Sequence, residues 1–121
     1  MASLELEDEI KEYARQLQRR KEFVSMTCGA EFRNSRKCNT SGLLILDDEY
    51  YPLLKTKLLE FGQIGERINK TSIGCCAEVN ASNEIYKMYK IKLNEISLSK
   101  AYRPKTMQVR EKCDVCNSVF Y

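Results

Sequence analysis

Cysteine is the residue type in this 121-residue chain with the most chemical reach, and it occurs at Cys28, Cys38, Cys75, Cys76, Cys113 and Cys116. Cys113-Asp114-Val115-Cys116 has the spacing at which two thiolates bind one tetrahedral ion. Lys112 beside the pair favours the thiolate form. A structural zinc takes four ligands, and the best internal candidates for the other two are Cys28 and Cys38, in a turn-rich basic stretch. The expectation is one zinc held by Cys28, Cys38, Cys113 and Cys116, or two incomplete sites and no metal. Cys75 and Cys76 are adjacent, cannot easily chelate one ion, and read as small apolar residues at a helix contact.

Histidine is absent, which removes Ser-His-Asp and Cys-His catalysis and every zinc site that needs an imidazole. No Gly-rich phosphate loop or paired carboxylate motif is visible, so a non-catalytic protein without a small-molecule substrate is expected. A thiol oxidoreductase would use Cys113 and Cys116. Its motif should open a helix after a strand, however, and only five residues follow Cys116.

The net charge is +3, unevenly laid out. Glu5, Glu7, Asp8, Glu9 and Glu12 face only Lys11, whereas Arg15, Arg19, Arg20 and Lys21 face only Glu22. Arg33, Arg36 and Lys37 lie beside Cys38, and Lys100, Arg103, Lys105, Arg110 and Lys112 approach Cys113. Basic side chains next to cysteine pairs suit a phosphate backbone, because each cation that meets a phosphate releases counterions. The plain alternative is a solvated charged surface. No apolar run exceeds Leu43-Leu44-Ile45-Leu46, so no membrane partner is expected. The first residues carry neither a basic start nor an apolar core, so an intracellular chain is expected.

These residues need elements to hold them. Leu6, Ile10, Tyr13, Ala14 and Leu17 form an apolar stripe that predicts a helix from about Leu4 to Val24. Residues 25–42 read as a Cys-containing loop, being rich in Gly, Asn, Ser and Thr. A second helix is predicted from Asp47, with Pro52 near its start and a stripe from Tyr50 to Ile68. Asn80-Ala81-Ser82-Asn83 predicts a break, followed by a third helix carrying Ile85, Met88, Tyr89, Leu93 and Ile96. Two such helices most simply pack as an antiparallel hairpin over residues 46–99. From Thr106 the period shortens, and Met107, Val109, Val119 and Phe120 read as short strands flanking a zinc-knuckle-like end over residues 104–121. The expected architecture is a single, mainly α domain.

Three stretches resemble the Luc-seven-like family of splicing factors associated with the U1 snRNP. They are Gln108 through Phe120 around the Cys pair, Cys28-Gly29-Ala30-Glu31-Phe32 followed by Cys38, and Asp48 through Asn69 with Leu58-Leu59-Glu60-Phe61 and Glu66-Arg67. The family pattern also has a further upstream Cys and closing His in its first finger, two His completing its second, and often an Arg/Ser-rich tail. This chain lacks them. The resemblance implies a reduced member: a nuclear, non-catalytic subunit of the U1 snRNP that contacts pre-mRNA and U1 small nuclear RNA at the 5′ splice site. Cys28, Cys38, Cys113 and Cys116 would be its surviving ligand positions. Charge alone adds Arg33, Arg36, Lys37, Arg103, Lys105, Arg110 and Lys112 as RNA contacts, with Phe32, Phe120 or Tyr121 stacking on bases or lying in the core. The alternative is a helical protein-interaction module with structural or thiol-regulated cysteines and no nucleic-acid role.

Overall fold

A computed structural model describes residues 3–22, 24–42, 49–68, 71–74, 76–110 and 119–120. The first helix, α1 (Leu4–Arg19), forms where the stripe predicts. Ser3 caps it, its Oγ accepting from the Leu6 N–H at 3.1 Å, and Glu5 and Glu7 complement the positive end of the helix dipole. Leu6, Ile10, Ala14 and Leu17 are the buried face.

Residues 25–42 are not a loop. They form two antiparallel strands, β1 (Thr27–Phe32) and β2 (Ser35–Thr40), in a register from Thr27 opposite Thr40 to Phe32 opposite Ser35. Only Arg33 and Asn34 turn, with Arg33 at φ 55°. The rest of the sheet comes from the C-terminal third: β5 (Ser97–Leu98), β6 (Ala101–Arg103) and β7 (Gln108–Arg110). The order is β2-β1-β6-β7, with β5 also pairing β1. Between β5 and β6 the chain steps out of register at Ser99. Ser99 nevertheless holds β1 from both sides: its N–H donates to the Gly29 carbonyl at 2.9 Å, and its Oγ accepts from the Gly29 N–H at 2.8 Å.

Helices cover both faces of β1. On one face, α3 (Ala77–Tyr89) sets Ala77 against Cys28 and Ala101, and Ala81 and Ile85 against Ala30. On the other, α1 sets Ile10 and Ala14 against Tyr102. A Cβ on Gly29 would stand 2.8 Å from Leu6 Cδ1, so α1 approaches this strand as closely as glycine permits.

The second helix, α2 (Pro52–Leu59), is shorter than the stripe suggests. Pro52 sits in its first turn, as predicted, while Asp47 and Asp48, its expected start, lie outside the described residues. It stops because Gly62 (φ 153°) and Gly65 (φ 89°) take the backbone out of the helical region. A small ladder follows, Arg67–Ile68 (β3) against Thr71–Ser72 (β4). The predicted break at Asn80–Asn83 falls inside α3. The two asparagines stay helical because their side chains bond outside the helix. Asn80 Nδ2 donates to the Thr40 carbonyl at 2.8 Å, and Asn83 grips residues 49–51 through the Glu49 carbonyl and the Tyr51 N–H.

The mainly α architecture expected from sequence is therefore corrected. Three helices pack with a five-stranded antiparallel sheet in an α/β fold. The antiparallel helical hairpin is replaced by α2 and α3 separated by β3–β4. Of the expected zinc-knuckle-like end, residues 104–110 belong to the β6–β7 hairpin and Val119–Phe120 are helical and buried rather than extended, while Cys113 and Cys116 lie outside the described residues. No described helix is long and apolar enough to cross a membrane.

Replacing Ser99 with Ala removes the acceptor of the buried Gly29 N–H. It should lower the unfolding free energy by about 1–3 kcal/mol, read as a reduced urea midpoint at unchanged slope.

Candidate functional site

The strand register decides the fate of the composite cysteine site. Cys28 is opposite Asn39 and Cys38 is opposite Gly29. Cross-strand partners share a face and successive residues alternate, so the Cys28 and Cys38 side chains lie on opposite faces of the sheet. Cys28 is wholly buried beneath α3, its Sγ donating to the Ser99 carbonyl at 3.5 Å. Cys38 packs beside Ile10, Ala14 and Tyr102 under α1. The sheet itself separates the two thiols, so they cannot share an ion. Burial, with Glu9 and Glu84 adding, pushes the Cys38 thiol from 9.0 to about 11. Cys113, Cys116 and Lys112 lie outside the described residues, as do Cys75 and Tyr121. Among the described residues no group of three or more His, Cys, Asp or Glu could hold a metal ion.

The basic side chains separate as well. Arg36 is committed to the fold: its Nε meets Glu9 at 2.9 Å and its Nη1 meets Glu31 at 3.4 Å. Those bonds raise its pKa further and tie β2 to α1. Arg33 sits at the β1–β2 turn with its guanidinium 5.1 Å from the Phe32 ring centre. Phe32 in turn packs on Tyr89, and Phe120 is buried, so neither offers a free stacking face. Lys37 and Arg110 are exposed on β2 and β7. Arg103 and Lys105 lie at the far end of the sheet from Arg33, because Tyr102 pairs with Thr27 whereas Phe32 closes on Ser35.

A different grouping emerges at the start of α3. Cys76 is the N-cap residue, and Ala77, Glu78 and Val79 in the first turn are 1%, 5% and 1% exposed. Ala77 is small enough for the helix end to lie on Ala101 and Cys28. Glu78 brings a carboxyl into this packed layer, and since burying such a group is costly unless it is partnered, it is a candidate functional residue. Cys76 packs against the core cluster of Tyr50, Leu54, Leu58, Ile73, Val79, Tyr86, Val119 and Phe120. That cluster seats, beside Cys76 and Val79, two residues that follow Cys116 closely in sequence. A Cys-x-Glu thus stands at the mouth of a buried helix, in a cluster shared with two residues that lie just beyond the Cys-x-x-Cys in sequence.

Sequence reading passed over Cys76 and Glu78, because a Cys-Cys pair before alanine looks like helix packing. The available signal was a glutamate two residues after a cysteine, upstream of a Cys-x-x-Cys. Compared with known proteins, the chain matches no family model, no curated protein and no solved structure.

The raised Cys38 thiol has a pH consequence. An unfolded thiol loses its proton near 9.0, while the folded one keeps it to about 11. The native state then binds more protons, so stability falls as pH rises through that window. Urea titrations below pH 9 and between 9 and 11 should show this loss, and Cys38→Ala should lessen it.

Proposed function

We propose that this chain is a zinc-dependent hydrolytic deaminase acting on a nucleobase, with Cys76, Cys113 and Cys116 as zinc ligands and Glu78 as general acid/base. The observation that carries the reading is Cys76 at the N-cap of a helix packed on the sheet, with Glu78 buried two residues on. Zinc deaminases use a histidine and two cysteines, or three cysteines, together with a glutamate that is not itself a ligand, in an H-x-E…P-C-x-x-C pattern. Here Cys76-Ala77-Glu78 supplies the first part with cysteine in place of histidine, and Cys113-Asp114-Val115-Cys116 the second, with Lys112 where that pattern has proline.

The donor set suits the ion. Three thiolates leave one tetrahedral position open, the arrangement of catalytic rather than structural zinc. The helix N-terminus favours an anion such as a thiolate at Cys76. Zinc bound there would supply Lewis-acid activation of water. Glu78 takes one proton from the attacking water and gives it to the ring nitrogen, then carries the second, from the new hydroxyl, to the departing amine. The carbon–oxygen bond forms at C4 of a cytosine or C6 of an adenine, the carbon–nitrogen bond breaks, and ammonia leaves. Burial of Glu78 among Ala77, Val79 and the sheet excludes the bulk water that would otherwise compete for the proton.

This reading replaces the non-catalytic one, which rested on seeing no catalytic grouping in the sequence. The Luc-seven-like resemblance implies a helical hairpin between two fingers, an architecture this chain does not adopt, so the fold lends the splicing role no support. The first-finger position also loses its shared site, since Cys28 and Cys38 face opposite ways.

Metal analysis of protein purified without chelator should find one zinc per chain, lost in Cys76→Ser, Cys113→Ser and Cys116→Ser and kept in Cys38→Ser. Glu78→Gln should keep the zinc and lower amino-to-oxo conversion, followed by mass spectrometry on cytosine and adenine substrates, by about 10²-fold or more. Zinc retained by Cys76→Ser, or full turnover by Glu78→Gln, would overturn the assignment.

A further inference from the structure

The packing directions give the molecule two unlike ends. Helix α3 runs along β1, from Ala77 on Cys28 to Tyr89 on Phe32, so Cys76 and Glu78 lie at the end away from the Arg33 turn. Helix α1 runs the opposite way on the other face. Ser3 bonds Glu31 at 2.8 Å, Ile10 and Ala14 pack on Tyr102, and Gln18 Nε2 donates to the Lys105 carbonyl at 3.2 Å. The acidic start of α1 therefore goes to the Arg33 end. Its basic half, with Arg15, Arg19, Arg20 and Lys21, comes to the end that holds Cys76, Glu78, Arg103 and Lys105. Arg15, Arg20, Lys21 and Lys105 are exposed there. Of the acids of α1's C-terminal half and the residues just after it, Glu12 is bonded to Arg19 at 2.6 Å, leaving Glu22.

We infer that the substrate of the proposed deaminase is a base within single-stranded nucleic acid, whose flanking phosphates lie along this basic end. The inference rests on the deaminase reading and adds the substrate class. Its argument is one of reach. The α1 cations sit across the sheet from α3, two layer spacings of roughly 10 Å each from the helix that carries the site. The phosphate of a mononucleotide bound at Glu78 stays within a few ångström of its base, so only neighbouring nucleotides extend to Arg20, Lys21 and Lys105. A buried carboxyl reaches only a base that has left its stack, and leaving it costs least where the strand is already single.

Two measurements on the zinc-loaded full chain test this: fluorescence anisotropy with a mixed-sequence single-stranded oligonucleotide, and deamination of that oligonucleotide beside free cytidine and adenosine. The triple variant Arg20→Glu, Lys21→Glu, Lys105→Glu should bind the oligonucleotide at least about tenfold more weakly, with a shallower salt dependence, since each lost phosphate contact removes about 0.7 from the slope. It should still deaminate any free nucleoside the native chain accepts, and Arg33→Glu at the opposite end should change neither property. Unchanged oligonucleotide binding by the triple variant, or free nucleoside turned over faster than oligonucleotide by the native chain, overturns the substrate class and leaves the deaminase reading standing. Oligonucleotide binding without conversion of any substrate overturns the deaminase reading, and the inference with it.

Discussion

The fold depends on burying one short strand on every side. β1 has β2 along one edge, β5 and β6 along the other, α3 over one face and α1 over the other. Such a position leaves no room for large side chains, and Thr27-Cys28-Gly29-Ala30 supplies small ones. Gly29 lets Leu6 descend onto the strand, and Ser99 restores the hydrogen bonds that the step between β5 and β6 would otherwise break. If any one of these is enlarged or removed, the two helices can no longer hold their spacing across the sheet. The positions of Cys76 and Glu78 depend on that spacing, because α3 meets the sheet through Ala77, Ala81 and Ile85.

The same packing explains how a carboxyl comes to be buried. A helix that touches the sheet along most of its length, and α2 and residues 119–120 along another side, has little solvated surface in its first turns. Its two asparagines are therefore used rather than exposed: Asn80 reaches the Thr40 carbonyl and Asn83 holds the chain entering α2. Glu78 belongs to this set by position but has the chemistry of an acid and base. The described cysteines divide in the same way. Cys28 and Cys38 serve as small packing residues on opposite faces of a sheet, while Cys76 stands where a helix begins.

How much of this was legible in the sequence varies by element, for identifiable reasons. Helix α1 is half-exposed, so its apolar residues recur every third or fourth position, and Ser3 with the early acids marks its start. The β1–β2 hairpin carries no such record. With both faces of β1 covered, the alternation that betrays a strand is absent, and its Gly, Asn and Ser residues resemble loop composition. The first turns of α3 are misleading for the converse reason, since Asn80-Ala81-Ser82-Asn83 reads as a break until the partners of each amide are known. The stripe of α2 continued past the true helix because a hydropathy pattern does not register the backbone angles that Gly62 and Gly65 adopt.

By itself the sequence determined the inventory: six cysteines and no histidine, a Cys-x-x-Cys, an amphipathic first helix, and acids and bases segregated along it. Those follow from composition and local periodicity, which depend only on residues a few positions apart. The tertiary structure alone decided that Cys28 and Cys38 cannot meet, because strand register sets the face of the sheet each one occupies. Cys28 and Cys38, separated by a short stretch of chain, are divided by a sheet. Cys76 and Val119, distant in sequence, pack on one core cluster. Long-range burial, rather than spacing along the chain, selects the residues that can act together.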